Sequence, residues 1–174
     1  MFPMDELQKN IQKLVDLYKT NDLIKAESLA RSLINLHPKV GILYNLFGLI
    51  LTNLSKLDEA ITYFENALKL KPNYAEAYNN LGTVYKIQRK YIKSEEYYLK
   101  SIKLNNVNPE TKNNLASLYL LLNRNDEAIF LFKEAININP SFFVAYYNLS
   151  VVYLNLGKFK EAKKYLKQTI TLNK

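Results

Sequence analysis

Residues 75–82 read Ala-Glu-Ala-Tyr-Asn-Asn-Leu-Gly, and the pattern that they open predicts the fold class. Tyr78, Leu81 and Tyr85 follow one another at three- and four-residue steps, which places them on one face of an α-helix. A polar turn at residues 88–90 comes next. A second apolar face follows it, formed by Tyr91, Ser94, Tyr98, Ser101 and Ile102. The stretch therefore predicts two short amphipathic helices that pack against each other.

The same pattern returns every 34 residues along the chain. Small residues recur in three series, which are Ala26, Ala60, Ser94, Ala128 and Ala162, then Gly48, Gly82, Ala116 and Ser150, then Ala67, Ser101, Ala135 and Thr169. Large apolar residues keep the same period, as in Phe47, Leu81, Leu115 and Leu149. Small residues let two helices cross closely, because a bulky side chain opposite can enter the gap. A fixed period of this length predicts an array of stacked helix pairs.

Five helix pairs fit the period, and three of the second helices end at a proline that blocks a further turn. The prolines are Pro38, Pro72 and Pro140. The predicted helices cover residues 4–19 and 23–36, 41–54 and 57–71, 75–88 and 91–105, 109–122 and 125–138, and 143–156 and 159–172. We expect a single domain over residues 1–174, with repeats at about 4–40 (degenerate), 41–74, 75–108, 109–142 and 143–174.

The string at residues 75–82, with the small and aromatic residues that follow it, resembles the tetratricopeptide repeat signature. Residues 41–174 carry the resemblance well. The resemblance implies an all-α, right-handed α–α superhelix (solenoid) of about five helix pairs. In the first repeat, Leu14, Val15 and Tyr18 lie one residue closer to Ala26 than their counterparts do elsewhere. This offset predicts a shortened turn near Asn21 and Asp22.

The composition argues against several other classes of protein. The net charge is +8, but the basic residues are nearly all Lys, with only Arg31, Arg89 and Arg124 as arginines. Arginine makes most of the bidentate contacts to phosphate and guanine, so we expect no nucleic-acid partner. No apolar run approaches the roughly 18 residues of a membrane span, and the chain has no cysteine. We therefore expect a cytoplasmic protein without membrane insertion.

Candidate catalytic and metal-binding residues are scarce, so we expect a protein that is not an enzyme and has no cofactor. His37 is the single histidine and lies beside Pro38 in a turn between repeats. The acidic pairs recur near the start of the second helices, where they complement the helix dipole, at Asp58-Glu59, Glu95-Glu96 and Asp126-Glu127. The glycines sit in repeat positions or turns and form no phosphate-binding loop.

The resemblance also implies where a partner binds, because the first helices of successive repeats line the concave surface in this family. The peptide-binding residues it predicts are Asn45, Leu49, Asn79, Asn80, Thr83, Asn113, Asn114, Ser117, Tyr147, Asn148 and Val151. Asn80, Asn114 and Asn148 recur at 34 residues and match the asparagine ladder with which the O-linked N-acetylglucosamine transferase family grips a peptide backbone. The carboxylate clamp of chaperone-binding members lacks its Lys and Arg here, so we exclude that mode.

Two functions remain open at this point. The first is a protein-interaction scaffold that binds an extended peptide or a partner domain in its concave groove. The second is the substrate-recruiting arm of a larger transferase-type enzyme, because residues 22–38 are similar to first repeats of larger bacterial proteins with a glycosyltransferase, sulfotransferase or methyltransferase domain. Leu166, Ile170 and Leu172 would lie uncovered on the last helix. We therefore expect either self-association through helix 159–172 or a parent protein that continues past Lys174.

Overall fold

A computed structural model of the chain describes the backbone of residues 3–173 and the side chains of residues 6–173. Ten helices and no strand occur within this part of the chain. They are α1 (Pro3–Lys19), α2 (Leu23–Leu36), α3 (Gly41–Asn53), α4 (Leu57–Leu70), α5 (Ala75–Ile87), α6 (Tyr91–Leu104), α7 (Pro109–Leu121), α8 (Asn125–Ile138), α9 (Phe143–Asn155) and α10 (Phe159–Leu172). The all-α prediction is confirmed, and the predicted boundaries agree to within one residue.

Every helix pair is joined by the same turn of three residues, whose middle residue has a positive φ. These middle residues are Asn21, Ser55, Arg89, Asn123 and Gly157. Asparagine and glycine adopt this left-handed conformation more readily than other residues, which explains three of the five positions. The residues between the two helices of a pair are therefore equal in number in all five repeats.

The predicted shortening of the first turn is wrong, because α1 and α2 are joined by a turn of the usual length. What differs is the apolar face of α1. Leu14 is fully buried and stands at the repeat position that Gly48, Ala116 and Ser150 occupy elsewhere. A leucine at this position keeps α1 from approaching α2 as closely as the small residues allow in later repeats. The first repeat is thus degenerate through its packing rather than through its turn.

The chain divides into two compact units, residues 1–88 and residues 89–174. In the first unit, Gly48 of α3 faces the ring of Phe64 on α4. A Cβ atom on Gly48 would lie 2.5–2.7 Å from three atoms of that ring, which is too close for any side chain. Phe64 itself is fully buried. The glycine is therefore required by the close crossing of α3 and α4, as the small-residue series predicted.

The second unit has a continuous apolar core built from α6 and from both helices of its two complete repeats. Its fully buried members include Tyr98, Leu118, Phe132, Leu149 and Val152. The small residues Ala128, Ala135 and Ala162 lie among them. Ser101 is also buried, and its hydroxyl lies 3.3 Å from that of Thr111, so the two polar side chains satisfy each other.

Within each unit, the first helices of neighbouring repeats touch each other. Helix α3 contacts α1 and α5 in the first unit, and α7 contacts α9 in the second. Among the described residues, the second helices α2 and α4 do not come this close, and neither do α6 and α8. In each unit, the first helices therefore form one side of the helix layer and the second helices form the other, outer side. The predicted binding residues lie on the first helices of each unit.

Candidate functional site

The eleven predicted binding residues all lie on first helices, but they differ in accessibility. Asn45 and Asn113 are buried, with only 5% and 6% of their surface exposed. Tyr147 is the most accessible, at 50%. The other eight are partly buried, namely Leu49, Asn79, Asn80, Thr83, Asn114, Ser117, Asn148 and Val151. The predicted set therefore contains two residues that support the surface and nine that a partner can reach.

In the first unit, the carboxamide of Asn80 is held in place by the buried Asn45. The Nδ2 of Asn80 donates a hydrogen bond of 3.0 Å to the Oδ1 of Asn45. Burial raises the pKa of the nearby Tyr74 hydroxyl, and a hydrogen bond with Asn45 opposes that shift. Asn45 thus serves two neighbours. Its role is to orient Asn80, which projects from the next first helix.

The second unit repeats this arrangement. The Nδ2 of Asn148 on α9 donates a hydrogen bond of 2.9 Å to the Oδ1 of the buried Asn113 on α7. Both pairs join residues 35 positions apart, so they are equivalent in the repeat. Sequence reasoning missed this pairing. The signal was present, since an asparagine stands 35 residues before Asn80 and Asn148 alike.

Two hydroxyls on this face bond to their own helices. The Oγ1 of Thr83 donates to the backbone carbonyl of Asn79 at 3.2 Å, and the Oγ of Ser117 donates to that of Asn113 at 2.8 Å. Such bonds to the preceding turn are common for these residues in helices. Each hydroxyl still has acceptor lone pairs. The predicted binding residues on the first helices of each unit, which we call the asparagine face of that unit, are uncharged throughout.

The acidic pairs near the second helices bind arginines. Glu59 accepts a bond from Arg31, and Glu95 and Glu127 both accept from Arg124. The pairs at residues 58–59 and 126–127 lie in the first turn of their helices, as the dipole argument predicted. The argument is wrong for Glu95 and Glu96, because α6 has no acidic residue in its first turn.

Glu95 also accepts a hydrogen bond of 2.8 Å from the hydroxyl of Tyr119. Burial, and then this bond, raise the pKa of Tyr119 to about 12, so its hydroxyl remains a donor at neutral pH. The acidic residues therefore serve to fix neighbouring side chains within the second unit.

The described residues contain neither a cluster that could bind a metal ion nor a helix that could span a membrane. No group of three or more His, Cys, Asp or Glu side chains that could hold a metal ion occurs among the residues that the structure describes. In the same residues, every helix is too short or too polar to cross a lipid bilayer.

Solved structures of similar fold come from several proteins. MamA from Desulfovibrio magneticus RS-1 is 16% identical, with 97% of this chain and 96% of that chain covered and a TM-score of 0.75. PilF from Pseudomonas aeruginosa is 16% identical over 96% of this chain and 77% of that chain, with a TM-score of 0.84. YrrB, described as a TPR protein with an unusual peptide-binding site, is 21% identical over 94% and 84%, with a TM-score of 0.65. At these identities the likeness shows the fold, a helical-repeat solenoid.

No curated protein matches the chain. Family models do match it, and they agree with one another. A TPR repeat model matches residues 48–88, and two tetratricopeptide repeat models match residues 73–141 and 119–171. Together they span the region in which the 34-residue period is clearest. The chain belongs to the tetratricopeptide repeat family.

Proposed function

We propose that this protein is a non-catalytic interaction scaffold that holds an extended polypeptide against its asparagine face. The observation that carries the proposal is the repeated pair of asparagines. In each unit, a partly exposed carboxamide on one first helix is oriented by a buried asparagine on the preceding first helix. The pair occupies equivalent repeat positions in the two units, two 34-residue periods apart, and suits a ligand whose own binding groups recur regularly.

A polypeptide backbone is such a ligand, because every residue except proline offers one N–H donor and one carbonyl acceptor. A carboxamide offers two donors and an acceptor, so Asn80 and Asn148 retain bonding capacity after their bonds to Asn45 and Asn113. The two bonds fix these carboxamides before the partner arrives, which lowers the entropy that binding must overcome. Recognition of this kind depends on the backbone and tolerates many partner sequences.

Apolar side chains on the same face would give some sequence preference. Leu49 in the first unit and Val151 in the second are partly buried, and Tyr147 is half exposed. An exposed tyrosine combines a large apolar ring with a hydroxyl and is favoured at protein interfaces. YrrB, a protein of similar fold described as having an unusual peptide-binding site, supports a peptide as the ligand class.

The remaining partner predictions form part of the same proposal. We place the scaffold in the cytoplasm, with no nucleic-acid partner. Self-association through residues 159–172 stays a prediction. It is favoured by the exposed apolar residues Phe159, Leu166 and Ile170 of α10, which are 70%, 40% and 63% exposed. Leu172, which we expected to be uncovered as well, is partly buried. The alternative, a substrate-recruiting arm of a larger transferase-type enzyme, rests on the resemblance of residues 22–38 alone.

The proposal is tested with a dodecapeptide selected on the full chain from a random displayed library. Replacing Asn80, Asn114 and Asn148 by alanine should weaken binding of that peptide at least tenfold, about 1.4 kcal/mol, measured by fluorescence anisotropy. A matched control replaces three exposed asparagines that lie off the first helices, Asn73, Asn137 and Asn173. The control should bind the peptide as the wild type does.

The triple alanine variant also removes the donors to Asn45 and Asn113, which costs about 1–3 kcal/mol of stability for each stranded buried group. A second variant therefore keeps the asparagines and blocks the face instead, with Thr83→Lys and Ser117→Lys. Both substituted side chains are partly exposed in the wild type. We expect this variant to lose binding by a similar factor. Unchanged affinity in both variants, with helical circular dichroism retained, would overturn the proposal.

A further inference from the structure

Two positions of the 34-residue repeat carry tyrosine in three of the four regular repeats and a different residue in the fourth. The first position holds Tyr44, Tyr78, Lys112 and Tyr146, and the second holds Tyr63, Tyr97, Leu131 and Tyr165. Both departures fall in the same repeat, residues 109–142. Both positions keep tyrosine in the other three repeats. The packing around these two positions therefore differs in residues 109–142 from that in the neighbouring repeats.

In the first unit, the two tyrosines fill the outer side of the helix pair. The rings of Tyr44 and Tyr63 lie 6.1 Å apart, and Tyr63 lies 4.4 Å from the ring of Phe47. The hydroxyl of Tyr44 donates a hydrogen bond of 2.9 Å to the carbonyl of Pro38. Arg31 covers the ring of Phe47 at 4.9 Å. Aromatic and guanidinium groups thus close this part of the surface.

The last repeat of the second unit is closed in the same way. Tyr146 and Tyr165 lie 6.3 Å apart, and the hydroxyl of Tyr146 donates to the carbonyl of Pro140 at 3.1 Å. Tyr165 also stacks on Tyr153, with ring centres 5.5 Å apart and planes inclined by 11°. Offset stacking of this kind is a favourable arrangement of aromatic rings.

The fourth repeat replaces this aromatic closure by a polar one. Lys112 is only 4% exposed, and its Nζ donates to Asn106 at 2.9 Å and to Glu134 at 2.8 Å. Asn106 stands where the neighbouring repeats have Pro38, Pro72 and Pro140. Leu131, the second departure, cannot reach across as a tyrosine would. Relative to the neighbouring repeats, this repeat therefore lacks two tyrosine rings. Asn106 and Glu134 accept the hydrogen bonds of the lysine that replaces one of them.

The result is a cavity of about 530 Å³ on the outer side of the second unit. It lies over α7, between α6 and α8, which do not approach each other closely. Leu99, Leu115, Phe130 and Leu131 supply apolar walls, and Tyr119 also lines the cavity. This volume is typical of sites that hold a ligand group. Phe130 is 61% exposed at its edge, although phenylalanine is ordinarily buried.

We propose that this cavity is a second docking site, which receives an aromatic side chain of a partner polypeptide with a lysine or arginine beside it. The site is on the outer side of the helix layer and is independent of the asparagine face. The partner's ring would take the place that tyrosine holds in the other repeats. Tyr119 is the repeat equivalent of Tyr153, but it is 7% exposed and the guanidinium carbon of Arg124 lies 3.8 Å from its ring centre. The entering ring would therefore rest on the apolar walls that Leu99, Phe130 and Leu131 supply.

The charge around the cavity favours a basic neighbour for that ring. Asp126, Glu127 and Glu134 line it, against a single lysine, Lys112. Arg124 forms an ion pair with Glu127. The three carboxylates together with the two cations, Lys112 and Arg124, therefore leave an excess of one negative charge around the cavity. The chain as a whole carries +8, which makes this local sign unusual. A cation beside the ring would be attracted to the acidic edge, and an anion would be repelled.

The test uses short blocked peptides and the isotope-labelled full chain. The probe is acetyl-Gly-Lys-Tyr-Lys-Gly-amide, and its partners are the same peptide with alanine for tyrosine or with glutamate for both lysines. We expect the probe to shift the backbone amide signals of Tyr119, Phe130 and Leu131. The two altered peptides should bind at least tenfold more weakly. Equal affinity of all three peptides would overturn the proposal.

Leu131→Tyr is the decisive variant, because tyrosine occupies this position in the other three repeats and the substitution should therefore fold. It should fill the cavity and weaken binding of the probe at least tenfold, whereas the matched control Leu131→Met should retain it. The alanine variant of Asn80, Asn114 and Asn148 should bind this probe normally, which separates the proposal from that for the asparagine face. Unchanged binding to Leu131→Tyr would overturn it.

Sedimentation of the protein alone tests a different occupant. Phe159 is 70% exposed and is flanked by the exposed Lys158 and Lys160, so a second copy of the chain carries a segment of the same chemistry. We expect the sedimentation coefficient to be the same for the wild type and Leu131→Tyr at every concentration. Association that Leu131→Tyr abolishes would assign the cavity to a second copy and overturn the assignment to another protein.

Discussion

Replacing Phe64 by alanine should lower the free energy of unfolding by about 3–5 kcal/mol. Its ring is fully buried between α3 and α4 and fills the space that Gly48 leaves open. Deleting the ring loses its transfer free energy and leaves a cavity that the backbone of the helix crossing cannot close. Chemical denaturation of the full chain, followed by helical circular dichroism, gives the value.

Phe130→Ala is the matched control for this prediction. It deletes the same side chain from a second helix, but Phe130 is 61% exposed. We expect a change within about 0.5 kcal/mol, as for most surface substitutions. The account of the helix crossing would be contradicted if the two alanine variants lost similar stability. It would also be contradicted if Gly48→Ala left the stability of the wild type unchanged.

Replacing Glu134 by glutamine should lower the free energy of unfolding by about 1–3 kcal/mol, because the buried ammonium of Lys112 would lose its counter-charge. The side chain of Lys112 is 5% exposed, whereas that of Glu134 is 37% exposed. The lysine therefore bears most of the desolvation. Lys112→Met should cost less than Glu134→Gln, since it removes the buried charge altogether and keeps a similar shape.

The same denaturation measurement tests this order. In the background of Lys112→Met, the change Glu134→Gln should have almost no further effect, because the two residues interact. Glu96→Gln is the control. Glu96 pairs with Lys100 at 2.7 Å, but both side chains are about half exposed, so the loss should stay below about 0.5 kcal/mol. If both glutamine variants cost the same, Lys112 is not held by Glu134 in the way we describe.

The helices could be predicted from the sequence almost to the residue, since each repeat supplies an independent copy of the same pattern. The turn between α1 and α2 could not. The apolar face of α1 is displaced by one residue, and a shortened turn or a displaced face would explain the same spacing of Leu14 and Ala26. Only the backbone distinguishes them, and it shows the usual turn with Asn21 at positive φ.

The asparagine face was predicted as a set of residues but not as an arrangement. Asn79 and Asn80 are adjacent in sequence, and only the packing of α3 against α5 shows that Asn80 bonds to Asn45. The outer cavity was missed altogether. Lys112 and Leu131 are ordinary residues in a helix, and their meaning depends on the side chains that face them from a neighbouring helix.

The proposed function has an extended polypeptide bound at the asparagine face. The most direct test is to record the side-chain amide signals of Asn80 and Asn148 by NMR as the selected dodecapeptide is added to the full chain. We predict that both signals shift as the peptide saturates the protein and show nuclear Overhauser contacts to backbone amides of the peptide. If both signals stay unchanged while the peptide saturates the protein, the partner binds elsewhere and the account of this face is wrong.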